Sequence, residues 1–108
     1  ILRRAKKTVS SDERVIRFGD FEFDQVRGEL RRGEIMIQLT SGEVGLLRVF
    51  SRHAGTSVSR DFLATRMGIS SRSVDVQIAR LRRKIEGNLR HPRYLLTIRG
   101  EGYVLQAD

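Results

Sequence analysis

Hydrophobic and polar positions change their period along this chain. Between residues 15 and 39 the short runs Val15–Phe18, Phe21–Asp24, Gly28–Arg31 and Glu34–Leu39 are separated by Gly19-Asp20, Gln25–Arg27 and Arg32-Gly33. Phe21 and Phe23 alternate with Glu22 and Asp24, and Ile35, Ile37 and Leu39 alternate with Glu34, Met36 and Gln38. A period of two is that of a half-buried strand, so these runs predict four short strands in a small antiparallel sheet with the phenylalanines in its core.

From Thr40 the spacing lengthens to that of helices. Val44, Leu47, Phe50 and Ala54 give an apolar stripe on a helix running to about His53. Thr40 or Ser41 caps it, and Thr40 with Glu43 has capping-box spacing. Gly42 and Gly45 each weaken it by about 1 kcal/mol relative to alanine, so packing must support it. Gly55-Thr56 ends it, Ser57-Val58 has room for one strand bridge, and Ser59 caps a second helix over Arg60–Met67. In the tight link Gly68-Ile69-Ser70, a left-handed Gly68 ends this helix and Ile69 tucks into the core before the next cap.

The third helix carries the chemistry. Ser71–Gly87 reads SRSVDVQIARLRRKIEG, capped by Ser70 or Ser71 and closed by Gly87. Val74, Ile78, Leu81 and Ile85 form one buried stripe. Arg72, Val76, Ala79 and Arg83 point the other way, with Arg80 beside them and Arg82 and Lys84 on the flanks. Its acids are Asp75 and Glu86 alone, whereas a solvated helix alternates charge sign. Asp75 reads as a first-turn residue that complements the helix dipole and pairs with Arg72. A basic rim around an apolar Val76 suits a DNA major groove, with arginines for phosphates and guanine edges and a methyl group for thymine. After the turn at Asn88–Arg93, Tyr94–Arg99 and Gly102–Leu105 predict a hairpin around Arg99-Gly100-Glu101-Gly102, with Leu96 and Ile98 inward and Thr97 and Arg99 outward. The order therefore predicts an α+β winged helix-turn-helix: an N-terminal four-stranded antiparallel sheet, three helices and a C-terminal β-hairpin wing tipped by Arg99.

Composition narrows the partner. The chain has 108 residues, one domain's worth, with a formal charge of +8 and a pI near 11.2, which favours a polyanion. Anionic membrane competes for that role, but no apolar run approaches the roughly 20 residues of a spanning helix. No signal peptide is visible, so the expectation is a cytoplasmic protein with no membrane partner. The absence of cysteine excludes disulfides and thiolate metal sites, and His53 and His91 read as surface or turn residues rather than ligands. Gly100-Glu101-Gly102 is a turn, since no strand-loop-helix follows it, and no catalytic constellation is evident, so neither cofactor, metal nor enzyme activity is expected. An RNA-binding domain would expose aromatic stacking platforms, whereas the aromatics here occupy strand-core positions. A protein-binding winged helix would not need a third helix so poor in acids. Residues 1–13 hold Arg3, Arg4, Lys6 and Lys7 without an apolar period and read as an interdomain linker before a domain at 14–108. The start at Ile1 rather than Met points to a piece of a longer protein.

The run from Arg72 to Glu86 resembles the third helix of the OmpR/PhoB-type response-regulator effector domain. His91-Pro92-Arg93-Tyr94 and Thr97–Tyr103 resemble that family's post-helix segment and wing, and Leu39-Thr40 with Glu43 and Leu46-Leu47 the start of its first helix. The resemblance spans about residues 14–106 in order and spacing. It implies binding of double-stranded promoter DNA, usually as tandem copies on direct repeats, behind a phosphoacceptor receiver domain missing from this chain. By position, Arg72, Arg82, Thr97 and Tyr103 match phosphate contacts, Val76 and Arg80 major-groove base contacts, and Arg99 a minor-groove contact. Gln77 falls where the family often has a DNA-facing polar residue, and Arg83 continues the basic face. Ala79 departs from members with a basic residue there. The short link Gly68-Ile69-Ser70-Ser71 departs from the longer family loop that in several members touches RNA polymerase. That departure predicts recruitment through another surface, or action by occlusion.

Overall fold

The computed structural model describes residues 15–107, so the expected linker at 1–13 lies outside the described residues. Strands β1 (Val15–Phe18), β2 (Phe21–Asp24), β3 (Glu29–Arg32) and β4 (Ile35–Ile37) form an antiparallel sheet in the order β1-β2-β3-β4. Phe23 sits opposite Ile16 on one side and Leu30 on the other, which buries one face of the central strands. The Phe18 and Phe21 rings stack 5.4 Å apart, and Tyr94 lies against both at 5.6 and 6.2 Å, tying the sheet to the chain that follows the last helix.

Two strand limits differ from the expectation. Gly28, with φ of +69°, belongs to the turn that Asp24 organises by accepting the Val26 and Arg27 N–H groups, so β3 begins at Glu29. β4 is a three-residue edge strand without the expected half-buried alternation: Ile35 is 66% exposed and Met36 44%. Among the described residues no strand pairs with its outer edge, and Leu39 packs on the core only after the strand has ended.

Helix α1 (Ser41–Arg52) carries the expected capping box. Glu43 N–H donates to Thr40 Oγ1 at 3.2 Å, and Thr40 N–H to Glu43 Oε1 at 2.9 Å. Its buried face is wider than the predicted stripe, taking in Glu43, Leu46 and Val49, while Ala54 lies exposed beyond its end. Helix α2 (Arg60–Met67) is capped by Ser59 and ended by Gly68 at φ 68°, ψ 34°, a left-handed conformation glycine takes without penalty. Ile69 packs on the core, and Ser70 caps α3 (Ser71–Ile85).

The end of α3 corrects the prediction. Gly87 does not take the left-handed conformation; Glu86 turns the chain instead, at φ −101°, ψ 132°. Its buried carboxylate accepts the N–H groups of Arg93 at 2.7 Å, Tyr94 at 2.9 Å and Leu95 at 2.8 Å. β5 (Leu95–Ile98) and β6 (Gly102–Leu105) then form the hairpin. Leu95, not Leu96, is the fully buried residue, facing the equally buried Leu105. Leu96 and Ile98 are half-buried between exposed Thr97 and Arg99, so the expected alternation holds toward the tip, although neither is buried as fully as Leu95. Val58 bridges Tyr103, as the sequence allowed, with N–H···O distances of 2.7 and 2.9 Å. A Cβ at Gly102 would lie 2.1 Å from the Val58 carbonyl oxygen, so this bridge needs glycine there.

Candidate nucleic-acid interface

The buried stripe of α3 orients its remaining faces. At about 100° per residue, seating Val74, Ile78, Leu81 and Ile85 turns Arg72, Val76, Ala79 and Arg83 outward. All four are exposed, as is Arg80, and Val76 is 46% exposed in their midst. Among the described residues, the side chains of Arg72, Arg80, Arg83 and Arg99 make no hydrogen bond or ion pair. Arg99 is exposed at the wing tip, while the neighbouring acid, Glu101, accepts the Ser57 hydroxyl at 2.6 Å. The outcome is an uncompensated basic surface with an apolar centre, flanked by one further cation on the hairpin.

The flank of α3 facing the wing is built differently. Asp75 lies in the second turn, not the first, and its partner is Arg60 of α2 rather than Arg72. Arg60 Nε and Nη2 donate to its two carboxylate oxygens at 3.0 and 2.7 Å. Tyr103 Oη donates to the same carboxylate at 2.8 Å. Partial burial alone would raise the Asp75 pKa, but the bonds from Tyr103 and Arg60 outweigh it and hold the carboxyl below its ordinary value. Burial and then the Asp75 carboxylate push the Tyr103 phenol above its ordinary value, so it remains a donor at neutral pH. That proton is already committed, so Tyr103 donates to a phosphate only by releasing Asp75.

Arg82 is not a free arm either. Its Nε donates to Leu95 O at 2.9 Å, its Nη2 to Thr97 Oγ1 at 2.7 Å, and its guanidinium lies 5.5 Å from the Tyr103 ring centre. Thr97 accepts in that bond and keeps its own hydroxyl proton for an outside acceptor.

The opposite flank faces α1. Gln77 is half-buried there, its amide packed on Gly42 so closely that an added Cβ would meet it at 2.9 Å. Its Oε1 is buried without a partner among the described residues. Gln77 thus stands on the α1 flank of the helix, beside the face that carries Arg72, Val76, Ala79 and Arg83. Lys84 donates to Gln38 O at 2.7 Å and to Glu43 Oε1 at 2.6 Å. Burial raises the Glu43 pKa, but the Lys84 and Thr40 bonds reverse that and leave it lowered.

Sequence reasoning missed Arg60, the Glu43–Lys84 pair and the Glu86 staple. Arg60 and Asp75 stand 15 residues apart and Glu43 and Lys84 41 apart, so no local period joins them. The one available signal was Glu43, an acid four residues before Leu47 and seven before Phe50, hence on the buried side of its helix. Among the described residues, no group of three His, Cys, Asp or Glu side chains is placed to hold a metal ion. None of their helices is long and apolar enough to cross a membrane.

Fold and surface together define a winged helix-turn-helix with a basic third helix. The chain belongs to the family described as "Transcriptional regulatory protein, C terminal", which matches residues 33–105. It is similar to Protein PetR of Rhodobacter capsulatus, 42% identical over all of this chain and 50% of PetR. It is likewise similar to the transcriptional regulatory protein CseB of Streptomyces avermitilis, 40% identical over 97% of this chain and 45% of CseB. The chain spans about half the length of the curated relatives it matches. Among solved structures, response regulator DrrB of Thermotoga maritima, an OmpR/PhoB homologue, matches with a TM-score of 0.80 and 30% identity, covering 95% of this chain and 49% of DrrB. The RstA DNA-binding domain of Klebsiella pneumoniae, solved in complex with the RstA box, matches with a TM-score of 0.74 and 32% identity, covering 85% of this chain and 96% of that one. The resemblance to OmpR/PhoB effector domains is thereby confirmed.

Proposed function

We propose that this chain is the promoter-binding part of an OmpR/PhoB-type response regulator, reading duplex DNA with α3 in the major groove and the wing at the minor groove. The observation that carries this reading is the set of unpaired arginines around exposed Val76 on α3. Val76 and Arg80 read base edges, Arg72 and Arg83 meet phosphates, and Thr97 donates its hydroxyl to a further phosphate. Arg99 enters the minor groove. Arg82 and Tyr103 contribute by holding the wing while lying close to the backbone, and Gln77 serves at the α1 flank. The domain spans 14–108, residues 1–13 link it to a receiver, and two copies sit on direct repeats in the cytoplasm. Its work is binding rather than catalysis. The Met67-to-Ser71 link is short, so RNA polymerase is engaged through another surface or excluded by occlusion.

A gel-shift series tests the reading, with the chain on a random-sequence DNA duplex and on an RNA hairpin across a salt gradient. DNA retention should fall with a log–log slope of about −0.9 per phosphate contact. A salt-independent affinity, no binding at low salt, or equal retention of RNA would refute it.

A further inference from the structure

The wing is clamped to α3 at two points. Thr97 and Tyr103 face each other across β5 and β6. Tyr103 Oη bonds Asp75, and Thr97 Oγ1 bonds Arg82. Asp75 and Arg82 are seven residues apart on one flank of α3, a span of about 10 Å along the axis. One contact leaves a hairpin free to swing about it; two contacts that far apart fix its angle. Asp75 is itself fixed from behind by both Arg60 donors, and Val58, two residues before Arg60, bridges Tyr103. Arg99 lies two residues beyond Thr97, so the clamp sets where the wing tip stands relative to Val76 and Arg80. A carboxylate beside a phosphate-binding face costs affinity by repulsion, and this chain of net charge +8 nevertheless places one there.

We propose that Asp75 is a positioning residue that makes recognition helix and wing engage DNA as one rigid unit. The inference rests on the DNA-binding reading above. It predicts that the contribution of Arg99 depends on a bond made by a residue of α3.

The test is a double-mutant cycle on a duplex that the chain itself selects from a randomised pool. Tyr103→Phe removes the bond to Asp75 but keeps the ring beneath Arg82. Arg99→Ala should weaken binding about tenfold in the parent and less than about threefold in Tyr103→Phe. If Tyr103 only touched a phosphate, the two losses would be independent, and an unchanged Arg99→Ala penalty in folded Tyr103→Phe overturns the proposal. Should that variant not fold, Asp75→Asn replaces it in the same cycle. Hydrogen exchange of the DNA-free chain gives a second readout: Arg99–Gly102 amides should exchange faster in the variant while α3 amides do not change. If the parent selects no duplex, the DNA-binding reading fails instead. Exchange then decides the clamp alone, and unaltered wing exchange overturns it.

Discussion

Replacing Glu86 should loosen the join between α3 and the wing. Glu86 is 8% exposed, and its carboxylate accepts three backbone N–H groups, of which that of Leu95 is buried and those of Arg93 and Tyr94 are part-buried. A hydrogen bond to a charged group contributes about 1.5–3 kcal/mol net, and a buried donor left unpaired costs about 1–3 kcal/mol. The part-buried donors recover some of this from water, and the variant no longer has to desolvate a carboxylate. Glu86→Ala should therefore destabilise by about 3–4 kcal/mol. Glu86→Gln keeps one acceptor oxygen and the side-chain volume, but it turns an NH2 toward a donor and loses the charge, a cost of about 2 kcal/mol. For a domain of this size the Gln variant should melt about 10 °C below the parent and the Ala variant about twice as far. Urea titration at neutral pH, read as a shift in midpoint at constant slope, measures both. A Glu86→Ala variant within about 0.5 kcal/mol of the parent would show that the loop to β5 holds itself and that the staple argument is wrong.

Other expectations follow from single contacts. Glu43 is held below its ordinary carboxylate pKa of 4.5, so its contribution is present above that value and fades as pH falls through the lower folded value; Glu43→Gln should flatten the acid limb of the stability profile. Lys84→Met leaves that buried carboxylate without its cation and should cost about 3 kcal/mol at neutral pH, measured by urea unfolding. Val76→Ala should relax preference at one base pair in a binding selection and leave non-specific affinity and melting temperature unchanged. Gly102→Ala forces a contact with the Val58 carbonyl at φ +138° and should lower thermal stability more than Gly100→Ala, which meets no neighbour.

Much of the site was legible because it is periodic. A helix whose buried stripe is set by Val74, Ile78, Leu81 and Ile85 has its outward residues determined by the same 3.6-residue period, so Arg72, Val76, Arg80 and Arg83 could be placed from spacing alone. Caps and tight turns were equally readable, because Thr40 with Glu43, Ser59 and Gly68 act within four residues of themselves. Periodicity failed at edges and ends. Ile35 alternates correctly but belongs to an edge strand, and Leu95 is fully buried one residue ahead of the alternating Leu96–Arg99. The flanks of α3 were decided only in three dimensions. Asp75, Arg82 and Lys84 are ordinary surface charges by pattern; their partners Arg60, Thr97 and Glu43 come from other elements, through contacts that exist only after chain closure. Glu86 closes its helix for the same reason, by reaching amides that the fold returns to it. Local sequence determined which face of α3 is free to meet a polyanion. Tertiary structure decided which of its charges are already spent, because an ion pair between distant residues forms only where packing brings both groups to one place.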